Sequence, residues 1–441
     1  MRDYLTILGA GLAGSEAAWQ AAERGIPVVL YEMRPVRPTP VHKTDHCAEL
    51  VCSNSLGNNQ SPSAPYLLKE ELRKFNSLVI DAGDTHSVPA GAALAVDREL
   101  FSKKVTEQLS KHPNITLIRE EVTEIPSEGP VIIATGPLTS PKLSESISRL
   151  IGQEYLYFYD AISPIIDANT IDYDKTFFAS RYDKGTDDYL NCPLNEDQYY
   201  SLVNELKYGE KVPFKSFEKP IYFEGCMPVE ELAMRGDKTL AFGPLKPVGL
   251  LHPETKEQFY AVVQLRHENK EGTAFNLVGF QTKLTYPEQK RVIRLIPGLE
   301  NVEFFRFGAI HRNTYINAPD VLSCELDLKK NSGIYFAGQI IGVEGYVESV
   351  SMGLLAALSA VKRIKGEVYS TPPVDTALGS LLKYVTETRR QSFQPMNINY
   401  GLFQVHEMKI RNKRERNKKI ELKALDSLSQ WMETINGELV K

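Results

Sequence analysis

The chain has 441 residues, of which 42% are hydrophobic and 24% are charged. These fractions are close to those of ordinary globular proteins and argue against a disordered chain, a collagen or a coiled coil. The length allows two or three domains with a substantial core. The net charge of −5 argues against a protein whose whole surface is basic for binding nucleic acid.

The first 32 residues have the pattern of a βαβ unit. Residues 4–8 form an apolar run that predicts a short buried strand, and residues 15–24 predict a helix that ends before a glycine. Residues 28–32 predict a second strand. This order is typical of a nucleotide-binding Rossmann fold.

The turn between the first strand and the first helix matches the pattern G-x-G-x-x-G and consists of Gly9, Ala10, Gly11, Leu12, Ala13 and Gly14. In such turns the first glycine allows the bend, the second lets the backbone approach a pyrophosphate, and the third lets helix pack on strand. The helix N-terminus offers N–H donors to the anion. Glu32, at the end of the second strand, is placed to accept hydrogen bonds from a ribose.

The glycine turn alone also fits a structural turn or an S-adenosylmethionine site. A second Gly-rich element at residues 337–346 favours FAD, because flavoproteins of the glutathione-reductase type hold the flavin half of FAD on a C-terminal strand, turn and helix. This element adds four cofactor-binding candidates: Gly338, Gln339, Gly345 and Tyr346. Gln339 stands where flavoproteins of this type usually carry Asp, which weakens the expected side-chain contact.

The middle of the chain suggests an inserted domain. Residues 35–65 form a Pro-rich polar stretch that is too long for an idle connection. Residues 131–136 predict a core strand that brings Gly136 to the cofactor. From about residue 183 to residue 303, Tyr, Pro and Lys become more frequent and the alternation of helix and strand weakens.

We therefore predict an α/β fold, a glutathione-reductase-type FAD-binding Rossmann domain that is split in sequence by an inserted α+β domain. The first part of the FAD-binding domain covers residues 1–185, and the inserted domain covers residues 186–304. The second part covers residues 305–441 and ends in a basic helical tail.

The five cysteines are few and scattered, which is not typical of a secreted disulfide framework. The longest apolar runs are far shorter than the ~20 residues of a membrane span, and Glu16 and Glu23 interrupt the stretch that would form a cleavable signal. We expect a cytoplasmic protein without a membrane partner or an obligate protein partner. His42, His46, Cys47 and Cys52 do not complete a recognisable metal-ligand spacing, so no metal is expected.

Six longer strings point to one family. They are YEMRP at 31–35, AELVCSNSL at 48–56, GPLKPVGL at 243–250, VQLR at 263–266, GFQTKL at 279–284 and HRNT at 311–314. Together they resemble the folate- and FAD-dependent tRNA uracil-5-methyltransferase family, and the resemblance extends over nearly the whole chain. The wobble-uridine modification flavoprotein is a larger relative that shares the FAD elements.

The resemblance implies that a uridine in the T loop of tRNA becomes 5-methyluridine. The carbon would come from 5,10-methylenetetrahydrofolate, and the electrons from FADH₂ regenerated by NADPH or NADH. Uracil C5 is a poor nucleophile, and addition of a thiolate at C6 makes C5 an enolate carbon. A base must then remove the C5 proton.

The family places cysteines at the positions of Cys226 and Cys52. We expect Cys226 to be the nucleophile and Cys52 the partner that removes the proton, with the reverse assignment also open. His311 is expected to stack on the folate pterin, with Tyr346 as another candidate for that role. The alternative for His311 is a core histidine that only forms hydrogen bonds. Buried filler is the ordinary role of a lone thiol.

The inserted domain is expected on the side of the RNA and folate. Between residues 409 and 423, eight basic and two acidic residues give a net charge of +6 on an otherwise acidic chain. We expect this strip, with Lys246, Arg266 and Lys283, to contact RNA phosphates. The alternative is a solvated helix face.

Three rival functions remain open from the residues alone. They are a flavin oxidoreductase with a redox thiol, a flavin-bearing RNA-binding protein without catalysis, and a ribosomal-RNA uracil methyltransferase. The first lacks a Cys-x-x-Cys dithiol beside a flavin-type turn.

Overall fold

The computed structural model describes residues 3–39, 41–127, 129–152, 155–183, 186–213, 222, 227–388, 393–403 and 410–436. Within these residues the strands are β1 Leu5–Leu8, β2 Val28–Glu32, β3 Ser55–Asn58, β4 Ser87–Val88, β5 Ala93–Val96, β6 Ile115–Arg119, β7 Val131–Ile133, β8 Leu156–Ala161, β9 Ile165–Asp167, β10 Phe177–Phe178, β11 Tyr189–Leu194, β12 Ala261–His267, β13 Ala274–Leu277, β14 Phe304–Arg306, β15 Ile310–Tyr315, β16 Asp327–Leu328 and β17 Asn331–Phe336. The helices are α1 Leu12–Ala22, α2 Ala64–Lys74, α3 Leu78–Thr85, α4 Arg98–Lys111, α5 Pro141–Ile151, α6 Glu196–Tyr208, α7 Val229–Met234, α8 Thr239–Phe242, α9 Tyr286–Ile293, α10 Ala318–Val321, α11 Tyr346–Lys365, α12 Ala377–Glu387 and α13 Lys413–Asn436.

The first sheet has the strand order β16-β17-β7-β1-β2-β6. Its neighbours are parallel except for the hairpin of β16 and β17. Every residue of β1 and β7 is buried, as expected for the centre of a parallel sheet with helices on both faces. The predicted α/β Rossmann fold is confirmed. The parallel register brings the carboxyl ends of β1, β2, β7 and β17 to one edge, where such sheets bind ligands.

Two boundaries differ from the prediction. Helix α1 begins at Leu12 rather than at residue 15, because Gly11 is its N-cap and the glycine turn itself forms the first helical turn. Strand β7 ends at Ile133, and Gly136–Leu138 form a short 3₁₀ turn beyond it. As a result, the carboxyl ends of β1 and β7 are followed by the start of a helix and by a 3₁₀ turn. The first backbone N–H groups of such turns have no partner within the turn.

The second sheet is antiparallel and has the order β10-β11-β12-β13-β9-β14. It has its own buried cluster, which includes Leu190, Cys192, Val263 and Phe275. Cys192 is fully buried there, in keeping with a packing role. Strands β9 and β10 of this sheet precede residue 186, and the division of the chain at residues 185 and 304 stays a prediction.

A two-stranded ribbon connects the two sheets in chain order, since β8 leads towards the second sheet and β15 leads back to the first. Its register pairs His311 with Asp160. A small sheet of β3, β5 and β4 begins within the Pro-rich segment. The ribbon of β8 and β15 and strand β3 of the small sheet supply residues that line the site described below.

The second half of helix α13 packs on the end of α2 and on the segment that follows α11. The rings of Trp431 and Phe75 lie 5.7 Å apart, and Trp431 Nε1 donates to the Ser370 carbonyl at 3.0 Å. Within the described ranges, no helix combines the length and the apolar character required to cross a bilayer.

Candidate functional site

A cavity opens at the carboxyl edge of the parallel sheet. The predicted cofactor residues that line it are Gly9, Gly11, Leu12, Ala13, Glu32, Gly136, Gly338, Gln339 and Tyr346. Open α/β sheets bind their ligands at this position. The fold thus brings the two Gly-rich elements, which lie near opposite ends of the chain, to a single cavity.

The glycine turn has the geometry of a phosphate-binding turn. Gly9 has a φ of 95°, and a Cβ there would lie 2.8 Å from the carbonyl oxygen of Ala134. A Cβ on Gly14 would lie 1.8 Å from the Gly9 carbonyl oxygen, so the helix can approach the strand only with glycine there. A Cβ on Gly11 would meet nothing within 4 Å. Space beside Gly11 and an α1 N-terminus without a side-chain cap fit a pyrophosphate.

Glu32 is buried at the tip of β2 and already has three donors. Its Oε2 accepts the Ala10 N–H at 3.0 Å, and its Oε1 accepts both the N–H and Nε of Arg34, at 3.1 and 2.8 Å. Burial alone would raise the pKa of Glu32, but the hydrogen bonds and charge of Arg34 lower it below its usual value. Arg34 also contacts Glu49 at 3.0 Å. The carboxylate that is predicted to hold a ribose is therefore linked to the segment that carries Cys52.

A second cavity adjoins the first one. Both are lined by Val51, Pro137, Leu138, Gln339 and Tyr346. The predicted residues Cys52, His311 and Gly345 line the second cavity. A ligand that follows the first cavity would therefore end beside a thiol and an imidazole.

Gln339 joins the two cavities from the second Gly-rich element. Its Nε2 donates to Glu344 Oε2 at 2.8 Å. Burial raises the pKa of Glu344 well above its usual value, and the charge of Asp160 adds to that shift. A carboxamide at position 339 thus supplies a donor to a buried carboxyl group, which an aspartate there could not do while ionised.

The backbone around Cys52 is fixed by hydrogen bonds from several elements. Tyr346 Oη accepts the N–H groups of Cys52 and Ser53 at 2.8 and 3.1 Å. The Cys52 thiol is partly buried and lies 3.9 Å from the Ala161 carbonyl oxygen. Tyr346, predicted as a candidate for stacking, therefore also holds the backbone at Cys52.

Two arginines that belong to no sequence motif complete this arrangement. Arg306 Nη2 donates to the Val51 carbonyl at 2.7 Å. Arg98 donates to the carbonyls of Leu50 and Cys52 at 2.7 and 3.3 Å. It also forms an ion pair with Glu268, the residue that follows β12. Both guanidinium groups therefore hold the backbone at and beside Cys52. No motif surrounds either arginine, so no local signal could have identified them.

His311 lies on β15 and lines the second cavity. Its Nε2 is buried and has no hydrogen-bond partner among the described residues. Burial lowers the pKa of His311 to about 4, and the charge of Arg306 acts in the same direction. The imidazole is therefore neutral at pH 7. These findings weigh against a core histidine that only forms hydrogen bonds, while the stacking role stays a prediction.

Cys226, the predicted nucleophile, lies outside the described residues, as do the other residues of 223–226. Nearby, Tyr222 forms a bridge with Tyr159 on β8. Lys283 Nζ lies 2.9 Å from Tyr222 Oη. The strand that carries Ala161, the neighbour of the Cys52 thiol, therefore also contacts a residue four positions before Cys226.

The structure corrects two of the predicted phosphate contacts. Lys283 is buried and pairs with Glu231 at 2.5 Å, and Arg266 is buried and donates from Nε to Asn54 Oδ1 at 2.9 Å. The prediction that these two side chains contact RNA phosphates is wrong, because both are enclosed by protein. Lys246 is exposed.

The residues that were weighed as a metal cluster have other partners. His42 Nδ1 lies 2.6 Å from Thr39 Oγ1, and His46 Nδ1 lies 3.3 Å from Ser102 Oγ. Cys47 is fully buried, and burial raises the pKa of its thiol to about 11. No group of three metal-ligating side chains occurs in the part of the chain that the structure describes.

Comparisons with known proteins decide the family. The family described as glucose inhibited division protein A matches residues 4–368. The methylenetetrahydrofolate–tRNA-(uracil-5-)-methyltransferase TrmFO of Natranaerobius thermophilus is 56% identical over 97% of this chain and 99% of that protein. The protein of the same name from Bacillus subtilis is 54% identical over 98% and 99%. The chain belongs to the methylenetetrahydrofolate–tRNA-(uracil-5-)-methyltransferase family.

Membership of this methyltransferase family confirms the resemblance drawn from the six sequence strings. A solved structure, the GidA of Aquifex aeolicus in its form I crystal, covers 98% of this chain with a TM-score of 0.72 at 18% identity. This chain covers 76% of that one. The structural likeness independently supports the fold that the methyltransferase family shares with GidA.

Proposed function

We propose that this enzyme converts a uridine in the T loop of tRNA to 5-methyluridine. The carbon comes from 5,10-methylenetetrahydrofolate, and FADH₂ regenerated by NADPH or NADH supplies the electrons. Relatives more than half identical over nearly the whole length carry a methylenetetrahydrofolate–tRNA-(uracil-5-)-methyltransferase name. The observation that carries the proposal is the Cys52 thiol in a cavity continuous with the dinucleotide cavity.

The polar groups that line the first cavity match those that FAD requires. The open space at Gly11, the uncapped N-terminus of α1 and the acceptor Glu32 suit a pyrophosphate and a ribose. Gly345, the N-cap of α11, likewise has no side-chain cap beside the second cavity. Reduced FAD bound there would supply the hydride that completes the methyl group.

The protein's own groups must activate uracil C5. A thiolate adds to C6, so that C5 becomes nucleophilic and forms the bond to the one-carbon unit. A second base takes the C5 proton as the carbon–nitrogen bond between the one-carbon unit and its carrier breaks, which leaves an exocyclic methylene on C5. Hydride addition to this methylene would give the methyl group and expel the thiolate from C6, which restores the C5–C6 double bond. Cys226 and Cys52 are proposed for these two roles, and Cys52 is the one whose surroundings are described.

The surroundings of Cys52 suit positioning of its thiol. Tyr346 fixes its backbone N–H, and Arg98 and Arg306 donate to the backbone carbonyls of Cys52 and Val51. Neutral His311 offers a ring face in the same cavity for the pterin of the folate.

The substrate and the location of the enzyme follow from the same proposal. A folded tRNA presents its target base within a stacked loop, so that base must leave the stack to reach the second cavity. A cytoplasmic enzyme fits a tRNA substrate and five scattered cysteines. We propose no obligate protein partner.

The test is a comparison of carbon donors. Purified protein is mixed with unmodified tRNA and reduced nicotinamide, and with either methylene-labelled folate or methyl-labelled S-adenosylmethionine. We expect label in the T-loop uridine from folate alone, and none when that uridine is replaced by cytidine. Label from S-adenosylmethionine alone, or oxidation of NADPH with no label in RNA, would contradict the proposal. The same assay with ribosomal RNA in place of tRNA tests the rival substrate, and we expect no label there.

A further inference from the structure

The first half of α13 and the residues just before it carry a row of exposed cations. The exposed basic residues in this part are Arg411, Lys413, Arg414, Lys418, Lys419 and Lys423. We call this set the α13 basic face. Its net positive charge contrasts with the net charge of −5 of the whole chain.

Most of this charge is not neutralised by neighbouring protein. Lys418 pairs with Glu421 at 2.7 Å, and Lys423 pairs with Asp375 at 3.2 Å. Among the described residues, no carboxylate forms an ion pair with Lys413, Arg414 or Lys419. A cluster of unpaired cations on one helix repels itself, and a polyanion that binds there removes that repulsion.

The α13 basic face lies close to the second cavity. Lys418 Nζ is 3.0 Å from Ser61 Oγ, and Glu421 also accepts a hydrogen bond from that hydroxyl at 2.9 Å. Ser61 belongs to the connection between β3 and α2, and Gly57 of β3 and Pro65 of α2, on either side of it, line the second cavity. Arg414 lies one helical turn before Lys418 on the same side of the helix.

The remainder of α13 gives this face a fixed position. Ala424, Leu428, Trp431 and Ile435 are buried in the hydrophobic core that also contains the parallel sheet. The cations are therefore presented from a docked helix instead of a loose tail. The second cavity must receive a base that has left its stack. A fixed row of cations beside this cavity is placed to bind the phosphates on either side of that base.

We propose that the α13 basic face binds phosphates of the tRNA substrate beside the T loop while the target uridine enters the second cavity. This inference rests on the proposed function and adds to it the surface that holds the RNA. Phosphate contacts dominate the affinity of such complexes and fix the register of the nucleic acid without reading its sequence.

The test uses the full-length protein with FAD and the double variant Lys413→Glu/Arg414→Glu. Glutamates in the first turn of α13 favour the helix dipole, so the variant is expected to fold. The control is Lys329→Glu/Lys330→Glu, which makes the same change in charge at two exposed lysines. These precede β17 at the end opposite the cavity, about 20 Å away at the ~3.3 Å rise of a six-residue strand.

We expect the α13 variant to bind unmodified tRNA about tenfold or more weakly at low salt. The slope of log Kd against log salt should fall by about 2, one for each lost phosphate contact. The KM for tRNA should rise while kcat and flavin absorbance stay unchanged. The control variant should bind like the unaltered protein.

Unchanged tRNA binding by the α13 variant, or an equal loss in the control, would overturn the inference. Both outcomes can be separated from failure of the proposed function. If the unaltered protein methylates tRNA while the α13 variant binds normally, only the inference fails. If the unaltered protein binds tRNA through α13 but transfers no carbon from folate, only the proposed function fails.

Discussion

Tyr346 connects the dinucleotide cavity to the thiol. Its hydroxyl accepts two N–H groups from the Cys52 segment, and its side chain lines both cavities. A buried donor that loses its acceptor costs about 1–3 kcal/mol. The hydroxyl is therefore a stabilising part of the Cys52 segment.

We expect Tyr346→Phe to retain FAD but to slow methyl transfer about tenfold or more, because a small displacement of a reacting group has a large effect on rate. Single-turnover transfer from labelled folate measures this rate, and flavin absorbance measures occupancy. Tyr31→Phe is the control, since Tyr31 lines only the first cavity. An unchanged rate for Tyr346→Phe would show that the hydroxyl does not position Cys52.

Arg306 acts on His311 as well as on the Cys52 segment. Its charge is one of the two causes that lower the pKa of His311, the other and larger being burial. Removal of the cation must therefore raise the pKa of the imidazole from about 4 towards the ordinary value near 6.5. Replacement by another cation must leave it low.

We expect Arg306→Gln to raise the pKa of His311 and Arg306→Lys to leave it near that of the unaltered protein. The measurement is an NMR titration of the His311 ring, assigned with a His311→Asn variant. With the imidazole neutral above about pH 5, the unaltered protein should show no titration of this ring between pH 6 and 8. Equal pKa values in the Gln and Lys variants would contradict this account.

At the scale of elements, the junction of β1 and α1 offers two glycines with opposite surroundings. A Cβ at Gly14 would lie 1.8 Å from the Gly9 carbonyl oxygen, so the helix would have to shift. A Cβ at Gly11 meets no protein atom within 4 Å, and the φ of −70° suits alanine. One position therefore serves packing and the other serves the ligand.

We expect Gly14→Ala to lower the melting temperature and to lose FAD. Gly11→Ala should keep the melting temperature of the apoprotein while weakening FAD binding about tenfold, which corresponds to about 1.4 kcal/mol. Thermal unfolding and titration of flavin fluorescence measure the two effects separately. FAD binding by Gly11→Ala with unaltered affinity would place the pyrophosphate elsewhere.

The elements that could be predicted from sequence are those with local signals. The glycine turn, β1, α1 and β2 follow from apolar periodicity and glycine spacing, because their contacts are close in sequence. The start of α1 was predicted three residues late, because glycines at a helix N-terminus are read as a loop. Cys52 and Cys226 came from the family resemblance, since a lone thiol has no pattern of its own.

At the scale of the whole molecule, the Cys52 segment is fastened to distant parts of the chain. Asn54 donates to the His267 carbonyl at 2.9 Å and accepts from Arg266. Arg98 bridges to Glu268 at 2.7 Å. Such pairs have no periodicity that a sequence could reveal, which explains why Arg98 and Arg306 were missed and why Arg266 was placed on the surface. The antiparallel sheet, through β12 and the residue that follows it, therefore supports the geometry of the thiol.

The most direct test of the central claim is transfer of labelled carbon from methylenetetrahydrofolate to tRNA by the Cys52→Ala variant, with FAD occupancy matched to that of the unaltered protein. The thiol is only partly buried and donates to a single carbonyl, so its removal should leave the fold intact. We predict stable FAD binding and loss of labelled 5-methyluridine. Labelled 5-methyluridine formed by Cys52→Ala at the rate of the unaltered protein would contradict the account.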